Sequence, residues 1–249
     1  MPRSAVWRAR RHVDAAAAPS AAIGGAFPSI RSAYEACGTT DFYMSHGAEY
    51  SNPHEQVLAE CMSTALCHWL PTLQLSEDAA VPWRVLDVAC GSGEASLAFS
   101  AAIRGRVGAL EVLACDPYTY TRYEERTGRS CHRWSFDELA DGVLERTQPM
   151  AIDLVLASFC LHLLHPPSLH RTLAALARVS RWLLVATPHR KPAIDESTGW
   201  SLAAAEQTAH DLFDSGSKRH RVRLRLYCSG ALAVHPSSTV RGLLHPDTS

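Results

Sequence analysis

Two rhythms of apolar residues alternate along this chain. Arg84–Val88, Leu110–Cys115, Ile152–Leu164 and Trp182–Thr187 each begin with a short, nearly unbroken run of aliphatic and β-branched residues. Runs of that kind, bounded by turn residues, predict parallel strands covered on both faces. Cys131–Trp134 predicts one more strand, between the second and the last two. The stretches between them repeat their apolar residues every three or four positions. Ala95–Ile103 is rich in helix formers, and Pro166 and Pro167 open a segment with Leu169, Leu173, Leu176 and Val179 on one face. Strand and helix alternating from Val85 to Val185 predict an α/β fold with a doubly wound, mainly parallel sheet.

The flanks read differently. Before the first strand, Asn52 suits an N-cap, Pro53 a first helical position and Glu55 a capping box. Val57, Leu58, Cys61, Met62, Ala65, Leu66 and Trp69 then form a helical stripe, and Pro71 is expected to end it. After the last central strand the signal is divided. Ser201–Phe213 has helix-forming composition, yet Trp200 onward also reads as a strand that pairs with the next one. Arg221–Tyr227 alternates charge and apolar residue, as a half-exposed strand with a solvated arginine face does. These patterns divide the chain into a tail (1–28), an N-terminal helical lead-in (29–80), the α/β domain (81–235) and a loose end (236–249).

Composition narrows the function. The 249 residues carry 24 basic and 25 acidic side chains, a net charge of -1, which gives no global field for a nucleic acid or a membrane surface. No apolar run approaches the length of a membrane-spanning helix. Eight cysteines stand singly, with no C-x-x-C pair, so neither a disulfide framework nor a zinc site is indicated. A reduced, cytoplasmic setting follows. The first 28 residues carry Arg3, Arg8, Arg10 and Arg11 against a single acid, Asp14. They read as a disordered tail or, alternatively, as an organelle presequence, and are dispensable for the fold on either reading.

The chemistry concentrates at Val85-Leu86-Asp87-Val88-Ala89-Cys90-Gly91-Ser92-Gly93-Glu94. A strand enters a glycine turn and leaves as a helix. Gly91 and Gly93 allow the sharp turn and a close ligand approach, and the free N–H groups of the helix start favour a polar or anionic ligand group. A dinucleotide site wants a third glycine where Ser96 stands. The pattern V-L-D-V-A-C-G-S-G instead resembles motif I of the class I S-adenosylmethionine-dependent methyltransferases. It departs at Ala89, where that family often has glycine; alanine is expected to fit there with a negative φ. Asp116 ends the second strand 23 residues after Gly93, close to the spacing of an acid that grips ribose hydroxyls, although the same position suits a helix cap.

The resemblance implies a seven-stranded-type Rossmann-like sheet with an N-terminal helical lid, and S-adenosyl-L-methionine as cofactor. It implies cofactor contacts from Asp87, Ala89, Gly91, Gly93, Asp116, Pro117, Tyr118, Ser135 and Phe136, and from Ser158 and Phe159 after the Asp153-Leu154-Val155 run, which resembles motif IV. Ser135 equally suits a cap of the next helix. A small-molecule acceptor is expected between the lid and the carboxyl ends of the central strands, where open α/β sheets bind ligands. Tyr43, His46 and Tyr50 are placed to close it from above. His162, just past the motif IV strand, is the candidate to orient or deprotonate the acceptor. A cofactor-binding protein without catalysis, a nicotinamide-dependent oxidoreductase and a nucleic-acid methyltransferase are the alternatives weighed; Ser96 argues against the second and the near-neutral charge against the third. No metal is implied.

Overall fold

The structure, a computed structural model, describes residues 39–47, 52, 54–75, 78–148, 150–188, 190–210 and 220–231. The expected tail and the loose C-terminal end lie outside them, as do Tyr50 and Pro53. Helices α1 (Thr39–His46) and α2 (Glu55–Leu73) precede the sheet. Then follow β1 (Trp83–Val88), α3 (Glu94–Ala102), β2 (Leu110–Cys115), α4 (Tyr120–Thr127), α5 (Phe136–Ala140), α6 (Val143–Thr147), β3 (Ile152–Ser158), α7 (Pro166–Val179), β4 (Ser180–Thr187), β5 (Trp200–His210) and β6 (His220–Ser229).

The six strands lie in the order β2-β1-β3-β4-β6-β5. β1 pairs in parallel with both β2 and β3, and β3 with β4. The last two strands run antiparallel, β6 being inserted between β4 and β5. This is an open, doubly wound, mainly parallel Rossmann-like sheet. Its centre shows why the apolar runs are unbroken. Val85 of β1 faces the layer built by α2 and α3 with Leu58, Leu66 and Phe99, while Leu86 and Val88 face the layer of α5, α6 and α7 with Leu139, Leu173 and Leu176. Every residue of β1 is buried. Each fully buried leucine or phenylalanine contributes roughly 1.5–3 kcal/mol.

Three expectations need correction. Cys131–Trp134 forms no strand: a single bridge at His132 reaches β2, with its N–H bonded to Ala114 O at 2.8 Å and its carbonyl accepting from Asp116 at 2.9 Å. One paired residue covers the outer edge of β2 without extending the sheet. α2 begins at Glu55 and passes Pro71 to end at Leu73. No capping box forms there, because the Glu55 carboxylate turns to Arg126 on α4 instead. Arg223 and Arg225 of β6 do not form the expected solvated face. Arg223 donates to Pro188 O (3.0 Å), and Arg225 to Arg190 O and Pro192 O (3.2 and 3.1 Å), holding the loop after β4.

The divided signal after β4 resolves as a strand. Gly199 turns the chain at φ 85°, Trp200 is fully buried with its indole N–H on Leu173 O at 3.0 Å, and β5 pairs along β6 with one register shift. Tertiary pairing overrides the helix propensity of the alanines. No helix among the described residues is long and apolar enough to cross a membrane.

Candidate functional site

The carboxyl ends of β1, β2 and β3 open onto a cavity of about 290 Å³. Its floor is the glycine turn. Gly93 precedes α3 at φ 92°, and a side chain there would drive its Cβ to 2.6 Å from Thr127 Cγ2. Gly91, at φ 59°, presents its N–H to Asp116 Oδ2 at 3.3 Å. Ala89 does not keep a negative φ: it stands at 48°. The tight exit from β1 requires the left-handed conformation at the very position where the resembled motif has glycine. Relief of that strain, roughly 1–2 kcal/mol for an L-residue, less the added unfolded-state freedom of glycine, sets the expectation for Ala89→Gly. The urea midpoint should rise by an amount worth about 0.5–1 kcal/mol. A lowered midpoint would mean that the Ala89 methyl group contributes packing that outweighs the strain.

Asp116 holds the turn that leads into the next helix. Oδ1 accepts the N–H groups of Tyr118 (2.8 Å) and Thr119 (2.9 Å), which fixes the turn into α4. The residue also lines the cavity beside Gly91, Pro117 and Tyr118, and the Thr119 hydroxyl donates to Gly91 O at 2.8 Å. The second strand end is thus tied to the glycine turn through both side chain and backbone.

Beneath the turn, Asp87 is fully buried and off the cavity wall. Its Oδ2 accepts from the N–H (3.0 Å) and hydroxyl (2.7 Å) of Ser96, while Oδ1 has no hydrogen-bond partner among the described residues. Burial pushes its carboxyl up to about 8, the two Ser96 bonds opposing and the nearby Glu94 and Asp116 adding to the rise. Its part is to anchor α3 behind the turn. Gly93 shapes the turn in the same indirect way, since it too is absent from the wall.

The remaining sequence candidates divide. Ala89, Ser135, Phe136, Ser158 and Phe159 line the cavity. Ser135 is at the same time the cap of α5, in a complete capping box with Glu138. Phe159 stands at φ 55° and stacks on His54, ring centroids 5.3 Å apart. Tyr43 lines the cavity from α1 and stacks on Tyr118 at 6.2 Å. Lid and domain pack closely there, since a Cβ on Gly47 would meet Tyr118 O at 2.9 Å. The side chain of His46 lies outside the described set. His162 is exposed on the 3₁₀ turn Leu161–Leu163 and is not on the wall; the turn begins before it and rotates it away.

The sequence reading missed Asn52, Glu94, Trp134 and His165, all of which line the cavity. Asn52 looked like a helix cap, a role that local pattern explains in full, and Glu94 was given no role of its own. His165 was passed over in favour of its neighbour. The charged side chains on the wall are Glu94, Asp116 and Asp137, with no lysine or arginine among the described lining residues. That field suits a cation. No group of three or more metal-binding side chains occurs among the described residues.

No protein-family model matches the chain. The uncharacterized protein C17A5.05c of Schizosaccharomyces pombe is 32% identical over 209 residues, 73% of this chain and 83% of that protein. Among solved structures, magnesium protoporphyrin IX methyltransferase from Synechocystis with bound S-adenosylmethionine has 12% identity and a TM-score of 0.49 over 80% of this chain and 96% of its own. A candidate RNA methyltransferase from Pyrococcus horikoshii gives 14% and 0.46 over 68% and 81%, and an O-methyltransferase family protein from Burkholderia thailandensis 13% and 0.41 over 71% and 60%. The description of the sheet rests on its own strand order and pairing, not on these distant overlays.

Proposed function

This chain belongs to one family with the Schizosaccharomyces pombe protein, and we propose that it is an S-adenosylmethionine-dependent methyltransferase acting on a small molecule. The observation that carries the reading is the junction of Gly91 with Asp116: the glycine turn and the acid of the second strand end share one cavity wall. Asp116 spends one lone pair of Oδ2 on Gly91, which leaves acceptor capacity for hydroxyl groups of a ribose. Pro117, Tyr118 and Phe136 offer flat apolar surface beside it, as a purine needs. The acidic wall suits a sulfonium.

When bound, S-adenosylmethionine supplies a methyl group already activated for in-line displacement. The work left to this chain is positional. Phe159, Leu163 and Leu164 give the cavity an apolar side next to the end of β3. Tyr43 and Asn52 cover it from the N-terminal segment, so that acceptor and nucleoside are held together away from water. The absence of lysine and arginine from the described wall favours an uncharged or cationic acceptor over a phosphate-bearing one. His165 is the histidine on the wall, and takes over the part foreseen for His162 where an acceptor needs a proton removed.

Calorimetric titration tests the cofactor half. The folded protein should bind S-adenosylmethionine, and Asp116→Asn should weaken binding by about tenfold or more through the lost charge-assisted bond. The asparagine oxygen keeps an acceptor for the Tyr118 and Thr119 N–H groups, so the melting temperature should hold within a few degrees. No binding by the folded wild type would end this reading. Transfer of labelled methyl to a component of a small-molecule extract tests the other half; transfer confined to the protein and nucleic-acid fractions would overturn the small-molecule acceptor.

A further inference from the structure

The cysteines stand singly in the sequence, yet the fold brings two of them together. Cys90 lies in the glycine turn and Cys131 follows α4, 41 residues later, and their Sγ atoms are 3.5 Å apart. Cys90 is 2% exposed and lines the cavity. Cys131 is half-buried behind that wall and packs on Cys90, Ala114 and Tyr123. Both are fixed at the backbone. The Cys90 N–H donates to Cys115 O at 3.2 Å, and the Cys90 carbonyl accepts the Gly93 N–H at 2.9 Å. The Cys131 N–H donates to Glu124 Oε1 at 3.0 Å, and the next residue, His132, is bridged to β2. The fold therefore holds two thiols as neighbours, one accessible and one on the cavity wall. Disulfide sulfurs stand about 2.05 Å apart, so joining these two needs an approach of about 1.5 Å.

We infer that Cys90 and Cys131 form a reversible disulfide, and that its closure pulls the glycine turn out of shape and lowers the affinity of the cavity for a nucleoside. The oxidant is a small disulfide of the glutathione type. Cys131, the accessible thiol, gives its proton to water and attacks one sulfur of that disulfide as a thiolate; the S–S bond breaks and one small thiolate leaves. The Cys90 sulfur then attacks the Cys131 sulfur of the mixed disulfide, its proton passing to the second departing thiolate. Two protein thiols are oxidised to one disulfide, and the small disulfide is reduced to two thiols. The order follows from burial, which pushes the Cys90 thiol up and makes it the poorer first nucleophile. The turn has little slack to absorb the pull, since Ala89 and Gly91 flank Cys90 at φ 48° and 59°. Gly91 in turn carries the N–H that meets Asp116, so a shift of Cys90 reaches the second strand end. The effect on affinity rests on the cofactor reading above; the disulfide itself does not.

Peptide mapping and calorimetry on the full chain provide the test. After treatment with glutathione disulfide, trypsin releases residues 85–104 and 130–133, each with a single cysteine. Mass spectrometry should find the two peptides joined, and separated again by reductant. The oxidised protein should bind S-adenosylhomocysteine at least about fivefold more weakly than the reduced protein, with recovery on reduction. Cys131→Ser, which leaves the cavity wall intact, should bind as the reduced wild type does under both conditions. By reciprocity, saturating S-adenosylhomocysteine should raise the reduction potential of the pair, by about 30 mV for a tenfold loss of affinity. Peptides that stay separate after oxidation overturn the inference, as does a joined pair with unchanged nucleoside affinity. An equal loss of affinity in oxidised Cys131→Ser overturns it too, by placing the sensitive thiol elsewhere. A reduced wild type that binds no nucleoside removes the cofactor reading and with it the effect on affinity, a result that the separately mapped peptides distinguish from failure of the disulfide to form.

Discussion

Gly93→Ala is expected to destabilise the protein by roughly 2–5 kcal/mol and to abolish nucleoside binding. Two penalties combine. The backbone at φ 92° lies where an L-residue costs about 1–2 kcal/mol. The new Cβ would also stand 2.6 Å from Thr127 Cγ2 and 3.2 Å from the Tyr123 ring, and overpacking of that kind costs roughly 1–3 kcal/mol. Neither neighbour yields easily. Tyr123 is fully buried, its hydroxyl 3.2 Å from Ser96 Oγ, and the Thr127 hydroxyl is bonded to Tyr123 O at 2.8 Å. Relief therefore requires α4 to move away from the turn, and α4 begins at the residues held by Asp116. The loss should appear as a lowered urea midpoint together with loss of S-adenosylmethionine binding. Wild-type stability in the variant would show that α4 shifts freely, and that the glycine is a matter of chain entropy alone.

That coupling explains which parts of the fold and site were legible in the sequence. β1, the glycine turn and α3 were readable because the strand is buried on both faces and the turn needs glycine for local reasons. The alternation from Val85 to Val185 carried the sheet, since period and composition there agree. Where two local rules conflicted, tertiary structure decided: Trp200–His210 contains helix formers, and pairing with β6 makes it a strand. Cys131–Trp134 looked like a strand, but its apolar residues pack on the core without continuing the ladder, and only the bridge at His132 remains. The sign of φ at Ala89 is invisible in a single sequence, and only the geometry of the β1 exit sets it.

The site shows the same division. Asp116 and Gly91, which line the cavity, were legible because spacing constrains them. Glu94 and Asn52 were not, because Asn52 already had a sufficient local explanation, and their meeting joins positions 42 residues apart. His162 and His165 differ only in which side of one turn they occupy, and a periodic pattern is silent across three residues of 3₁₀ helix.

Asp87→Asn should remove the largest pH dependence of stability. With the folded-state carboxyl at about 8 and an ordinary value of 3.8 in the unfolded chain, the sign follows directly. Below 3.8 both states hold the proton and Asp87 adds no dependence. Between 3.8 and 8 the folded state keeps a proton that the unfolded state has lost, so stability falls as pH rises, by up to about 1.4 kcal/mol per pH unit. Above 8 both states are ionised and the curve levels, after a cumulative loss on the order of 5 kcal/mol. The cause is the fully buried carboxylate, whose Oδ1 lacks a partner among the described residues, while the Ser96 N–H and hydroxyl stabilise Oδ2 alone. Asparagine presents one oxygen to the same two donors and cannot ionise. The variant should match the wild type near pH 4 to within about 1–3 kcal/mol, the range for a displaced neutral polar group, and exceed it increasingly up to about pH 8, the gap levelling beyond. Urea unfolding of both proteins across that range is the measurement. Parallel stability curves would mean that the carboxylate is ionised in the folded state and compensated, leaving its anchorage of α3 as a charged bond to Ser96.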